Sequence, residues 1–122
     1  MGTFYIGCQL THPVHRTRTV RIPRILVDTG SEYTWITEGT LRQLGVVQEK
    51  KDVSFVMANG QTITRNVGFA IVRVEKHFTI DEVVFAEKGD LQILGARTLE
   101  GLTLMVDPRR KKLVATGPLP VA

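Results

Sequence analysis

Apolar and β-branched residues recur along this chain in short runs with a spacing of two, and turn-forming residues close nearly every run. This is the pattern of half-buried strands rather than of helices with a 3.6-residue stripe. Thr3 to Leu10 reads as the first strand. Thr19-Val20-Arg21-Ile22 and Arg24 to Val27 follow as two segments parted by Pro23, which suits a sheet edge or bend because it has no N–H to give to a ladder. Tyr33-Thr34-Trp35-Ile36 is again β-branched and aromatic. Thr37 is placed to cap a short helix over Glu38 to Leu44, and Gly45 to stop it in the left-handed conformation.

The clearest hairpin signal comes next. Val53 to Ala58 runs into Asn59-Gly60, where both residues are expected to accept positive φ, and the chain returns through Gln61 to Glu75. The return arm is longer than the outgoing one, so Phe69-Ala70-Ile71-Val72 should leave the hairpin and join the core sheet, with Gly68 as the bulge that allows it. Phe78 to Ile80 and Val83 to Ala86 read as two more strands. Leu91-Gln92-Ile93-Leu94 is an apolar strand that breaks at Gly95, after which Ala96 to Glu100 make about one helical turn ended by Gly101. Leu102 to Val106 and Leu113 to Ala115 close the pattern. The expected architecture is one all-β domain over residues 1–122 with one or two short helices.

One tripeptide carries chemistry. Asp28-Thr29-Gly30 ends the apolar run Ile25-Leu26-Val27 and is followed by Ser31, which sets a carboxylate at the mouth of a buried strand in a tight turn. A pair of carboxylates about 3 Å apart shares one proton, because both cannot ionise at that separation, and such a pair can activate water. The chain holds a single Asp-Thr-Gly, so a second chain would have to supply the other carboxylate. Asp is also common in turns simply because it bonds the backbone ahead of it, and that bland role stands beside the catalytic one.

Composition narrows the remaining classes. With 43% hydrophobic and 23% charged residues in a chain of 122, a core can form without metal or disulfide support, and the single cysteine, Cys8, allows no intrachain bridge. The net charge of +4 owes much to Arg109-Arg110-Lys111-Lys112, which reads as a solvated hairpin tip after Asp107-Pro108 rather than a stripe for phosphates, so no nucleic-acid partner is expected. Cys8, His12 and His15 have a loose metal-like spacing, but Pro13 intervenes and a fourth ligand is missing, so neither metal nor cofactor is expected. His77, in a polar connection, is taken as solvated, and nothing of the form Gly-x-Ser-x-Gly supports a serine triad. No apolar stretch nears the roughly 20 residues of a membrane span. The N-terminus lacks a signal-peptide pattern, and Ile6 stands where a myristoylation signal has Ser or Thr, so a cytoplasmic protein is expected.

Taken in order, Leu26-Val27-Asp28-Thr29-Gly30-Ser31, the Asn59-Gly60 hairpin, and Ile93-Leu94-Gly95 before a helix containing Leu99 resemble the retropepsin-like, single-domain aspartic peptidases. The resemblance extends from about Thr3 to Ala115, and Trp35 adds to it. It implies a closed, barrel-like β fold, a homodimer with the Asp-Thr-Gly loops on its two-fold axis, and a flap over Met57, Ala58, Asn59, Gly60 and Gln61 that closes on a peptide. In that setting Asp28 is the catalytic residue, Thr29 holds the loop across the axis, Gly30 lets backbone approach the carboxylate, and Ser31 donates to the outer oxygen of Asp28 and lowers the pair's pKa. Met57 and Ile63 line the pocket or merely pack the hairpin. Two departures stand out: Ala96 separates Gly95 from Arg97, an offset that weighs against a Glu32–Arg97 ion pair standing in for the family's usual one at the dimer contact, and a lone Gly60 at the tip implies a stiff flap. The implied activity is a homodimeric aspartic endopeptidase acting on peptide or protein substrates. Its rival is a catalytically silent module of the same fold that binds peptides or dimerises.

Overall fold

A computed structural model describes residues 3–121; Met1 and Gly2, where a myristoylation signal would start, lie outside them. The elements run β1 (Phe4–Thr11), β2 (Thr19–Val27), β3 (Thr34–Thr37), α1 (Glu38–Leu44), β4 (Lys50–Val56), β5 (Thr62–Val74), β6 (His77–Ala86), β7 (Ile93–Leu94), α2 (Ala96–Leu102), β8 (Leu104–Asp107) and β9 (Lys112–Ala115). The all-β expectation with short helices holds.

Seven strands form one sheet in the order β1-β2-β7-β3-β6-β5-β4, and a further β1–β5 pairing joins Gln9, Leu10 and Thr11 to Arg73, Val72 and Ile71. The pairings therefore run in a circuit through β1, β2, β7, β3, β6 and β5, while β8 and β9 make a separate two-stranded sheet. As expected, the later half of β5 leaves the β4–β5 hairpin for the core sheet. In the core, Leu10, Ile25, Ile36, Leu41, Leu94 and Leu102 are fully buried, each side chain contributing on the order of 1.5–3 kcal/mol against its exposed state.

The placement of β7 decides how Asp28 is held. This short strand lies between β2, which it joins in parallel through Leu26↔Ile93 and Val27↔Leu94, and β3, which it meets antiparallel at Trp35↔Ile93. The chain therefore returns from far along the sequence to fill the gap beneath the turn that follows Val27.

Several local expectations are corrected. Pro23 does not divide β2; Pro23 and Arg24 form a bulge opposite Gly7, where the missing N–H costs no ladder bond. The Thr37 side chain does not cap α1 and instead bonds Gln92 Oε1 at 3.1 Å, although Gly45 does end the helix with φ 87°. At the hairpin tip only Gly60 is left-handed, with φ 86°. The turn there is closed by Gly60 N–H to Met57 O (2.9 Å) and Met57 N–H to Gln61 O (2.8 Å). This is a three-residue loop ending in a left-handed glycine rather than a two-residue Asn-Gly turn. The Asn59 side chain accepts the Gln61 N–H at 2.9 Å.

Gly68 is not a bulge either. The irregularity sits on the facing strand, where Lys51 and left-handed Asp52 (φ 57°) oppose Asn66. Gly68 is required because a Cβ there would collide with the Val47 carbonyl oxygen. The two strands expected over Phe78–Ala86 are one strand, β6, since its ladder with β5 runs unbroken from His77 to Val84. Gly101 lies within α2, not after it: the Thr79 side chain packs where its Cβ would be, and Thr103 ends the helix with φ 58°. Arg109, Arg110 and Lys111 do occupy the β8–β9 turn, with Lys112 opening β9, and the N–H groups of Arg109 and Arg110 are held by Asp107 Oδ1, both at 3.2 Å.

Candidate active site

Asp28 leaves β2 at the point where β7 runs alongside. Its N–H donates to the Leu94 carbonyl at 3.1 Å, and its own carbonyl accepts the Ser31 N–H at 3.2 Å, so residues 28–31 form a tight turn anchored to β7. Gly30 N–H donates to Asp28 Oδ1 at 2.9 Å, and a Cβ on Gly30 would stand 3.1 Å from that oxygen. Glycine serves here through that close approach, since its φ is not in the left-handed region. The far side of the turn is fixed by Ala96 N–H to Ser31 O (2.7 Å) and Arg97 N–H to Glu32 O (3.0 Å). The start of α2 is thereby stitched to the Asp28 turn. Gly95 is the contact point: a Cβ there would overlap the Tyr33 carbonyl and lie 2.8 Å from the Glu32 carbonyl oxygen.

Asp28 is half-buried and opens into a cleft of about 300 Å³. Gly30, Ser31, Trp35 and Ile93 line it on the sheet side, Val56, Met57 and Ala58 on the hairpin side, and Gly89, Asp90 and Leu91 along the loop before β7. Of the hairpin residues singled out in the sequence, Met57 and Ala58 reach this cleft, while Asn59, Gly60 and Gln61 form the exposed tip beyond it. Ile63 is half-buried and is not among the residues lining the cleft. Thr29 is exposed and faces a smaller recess bordered by Phe4, Val106 and Pro108. The outgoing arm of the hairpin is seated on the site by Phe55, whose ring lies 5.4 Å edge-on from Tyr33 and 5.1 Å from Trp35.

One expected side-chain role is corrected. Ser31 Oγ donates to the Tyr33 carbonyl at 2.9 Å, and a hydroxyl has one proton, so it does not donate to Asp28. Within the chain, Arg97 lies over the Tyr33 ring at 4.6 Å and 3.8 Å from Glu82.

Sequence reasoning missed the ion pair that frames the cleft. Arg65, on the return arm of the hairpin, grips Asp90 with two bonds of 2.7 and 3.0 Å, and Asp90 also accepts the Glu87 N–H at 2.8 Å. The Arg65 guanidinium holds the Asp90 carboxyl below its ordinary range. The two residues lie in ordinary polar stretches, so no local signal marks them. Leu91 was readable as an apolar residue before Ile93, and its 65% exposure is explained by its place at the cleft.

The histidines and Cys8 have other duties. His12 is buried, not a surface residue; its Nδ1 accepts the Val14 and His15 N–H groups at 3.1 and 3.0 Å, and Nε2 lies 3.2 Å from the Gly45 carbonyl. The ring thus staples the β1–β2 connection to the end of α1, with both nitrogens occupied. Cys8 is buried, and burial pushes its thiol pKa up to about 12. Among the described residues no His, Cys, Asp and Glu side chains cluster as a metal would require, and no helix is long and apolar enough to cross a membrane.

Residues 20–101 match the family model described as gag-polyprotein putative aspartyl protease, a span that holds Asp28, the whole β4–β5 hairpin and Gly95. No curated protein matches the chain.

Proposed function

We propose, since the chain belongs to the gag-polyprotein aspartyl protease family, that it is a homodimeric aspartic endopeptidase in which the two copies of Asp28 share a proton. One observation carries the reading: Asp28 is half-buried, on a turn held from β7, in a cleft walled by an apolar hairpin, and the other carboxylate lining that cleft, Asp90, is taken up by Arg65. A lone carboxylate so placed lacks its proton-sharing partner, and a two-fold axis through the turn brings the second. The exposed Thr29 and the recess beside it, with Phe4, Val106 and Pro108, then meet the partner chain.

The chemistry divides between the pair. The ionised carboxylate takes a proton from water, whose oxygen attacks the scissile carbonyl carbon, while the protonated carboxyl donates to the carbonyl oxygen. The tetrahedral intermediate then collapses: one carboxyl protonates the leaving nitrogen, the other carboxylate takes a hydroxyl proton of the intermediate as the C=O reforms and the C–N bond breaks, and the pair again holds one proton. The pair titrates as one unit. The β4–β5 hairpin serves as the flap, receiving substrate backbone as an added strand and excluding water. Trp35, Met57, Leu91 and Ile93 suit apolar substrate side chains.

A mixed peptide library incubated with concentrated protein at roughly pH 4 to 7 tests this. Cleavage by the wild-type chain that is lost in Asp28→Asn is the expected result. Equal cleavage by both, or binding by both without cleavage, overturns it.

A further inference from the structure

We propose that Asp81, acting through Thr98 and Thr34, is a positioning residue for Asp28, an inference that rests on Asp28 being the catalytic group. Four groups from separate elements form one continuous line behind the site. Gly95 N–H donates to Thr34 Oγ1 at 3.0 Å, Thr34 Oγ1 lies 2.5 Å from Thr98 Oγ1, and Thr98 Oγ1 donates to Asp81 Oδ2 at 2.9 Å. The other carboxylate oxygen, Oδ1, accepts the Glu82 N–H at 2.7 Å. Thr34 and Thr98 are completely buried, so water cannot substitute for any bond between them.

Counting protons fixes the direction of the line. Each hydroxyl has one proton and an ionised carboxylate has none. Thr98 spends its proton on Asp81, so the bond between the two threonines must use the proton of Thr34. The lone pair left on Thr34 receives the Gly95 N–H. Every bond in the line therefore points toward Asp81.

This matters at Asp28 because Gly95 sits between the groups that hold the catalytic turn. Leu94, just before it, accepts the Asp28 N–H, while Ala96 and Arg97, just after it, donate to the Ser31 and Glu32 carbonyls. Fixing the Gly95 N–H fixes the segment from which Asp28 hangs.

Only a carboxylate at residue 81 completes the arrangement, because Glu82 N–H and Thr98 O–H are both donors aimed at it. An amide fails in either orientation. With its NH2 toward Glu82, two donors face each other. With its NH2 toward Thr98, the line reverses and the Thr34 proton, crowded by the Gly95 N–H, has no acceptor.

The test combines kinetics with amide exchange on the full chain. In Asp81→Asn and Thr34→Val, kcat is expected to fall about ten- to hundredfold, as small misplacements of reacting groups do. KM should stay within about twofold, because the cleft walls are untouched, and Thr34→Ser, which keeps the hydroxyl, should restore kcat to within about twofold of wild type. Exchange at the Gly95 and Asp28 amides should quicken in Asp81→Asn below its melting temperature. An Asp81→Asn protein that is folded and retains wild-type kcat overturns the proposal, as does equal loss in Thr34→Ser and Thr34→Val. If Asp28→Asn cleaves as well as wild type, the peptidase reading fails by itself. The exchange rates then decide the positioning of Asp28: faster exchange upholds it and unchanged exchange rejects it.

Discussion

The hydroxyl of Ser31 donates to the carbonyl of Tyr33 at 2.9 Å, which keeps its only proton inside the turn that carries Asp28. The bond ties the end of the turn to the start of β3. Removing it in Ser31→Ala should cost about 0.5–1.5 kcal/mol of stability, the usual net value of such a bond. The pH profile of peptide hydrolysis should keep its shape and position. Thermal melts and a pH–rate series on the purified variant check the two statements separately.

The Arg65–Asp90 pair should hold the return arm of the hairpin to the loop before β7. Its bonds are short and both side chains are largely buried, at 15% and 10% exposed. Arg65→Ala should destabilise by at least about 1.5–3 kcal/mol near neutral pH, the range for bonds to charged groups, and should loosen the cleft. The folded-state pKa of Asp90 is depressed by the Arg65 bond. The stabilisation is therefore complete above the ordinary carboxylate pKa of about 3.9 and fades as pH falls through the lower folded value. Urea titrations of wild type and variant should show a gap that is constant down to about pH 5 and narrows progressively below about pH 4.

Gly95→Ala should be far more damaging than its size suggests. The added carbon would overlap the Tyr33 carbonyl, and backbone on both sides is pinned by hydrogen bonds, so neither can yield. A loss of about 3 kcal/mol or more is expected, at the upper end for overpacking. Gly60→Ala provides the contrast, because its Cβ would meet open space and only the left-handed φ of 86° opposes it. That strain is worth about 1–2 kcal/mol. Denaturant melts of the two variants should differ in this order.

Cys8 should be chemically silent in the folded protein. It is 2% exposed, and burial raises its thiol pKa to about 12, so almost no thiolate exists at neutral pH. Alkylation by iodoacetamide should proceed only as fast as the chain opens and should become rapid in urea, as mass spectrometry over time would record.

Local chemistry explains which parts were legible in the sequence. The Asp28 turn, the β4–β5 hairpin and the break at Gly95 announce themselves through apolar runs closed by turn residues, and α1 through its left-handed Gly45. The hidden parts depend on residues remote in sequence. Thr34 and Thr98 are 64 positions apart, and Arg65 and Asp90 are 25 apart, so no periodicity brings them together. Ser31 misled because its choice of acceptor depends on where the Tyr33 carbonyl turns, and the burial of His12 is unreadable because nothing nearby shows that Gly45 will cover it. Gly68 and Gly101 look like punctuation in one dimension, whereas in three they make room for Val47 and Thr79.

The central claim is that catalysis needs one Asp28 from each of two chains, and a mixing experiment addresses it most directly. Wild-type protein is held at a concentration where the rate per chain no longer rises, and an equal amount of Asp28→Asn is added and allowed to exchange. Random pairing leaves half the wild-type chains with inactive partners, so the hydrolysis rate should fall to about half although no wild-type protein was removed. A rate unchanged by the addition would mean that each chain works alone, which contradicts the account.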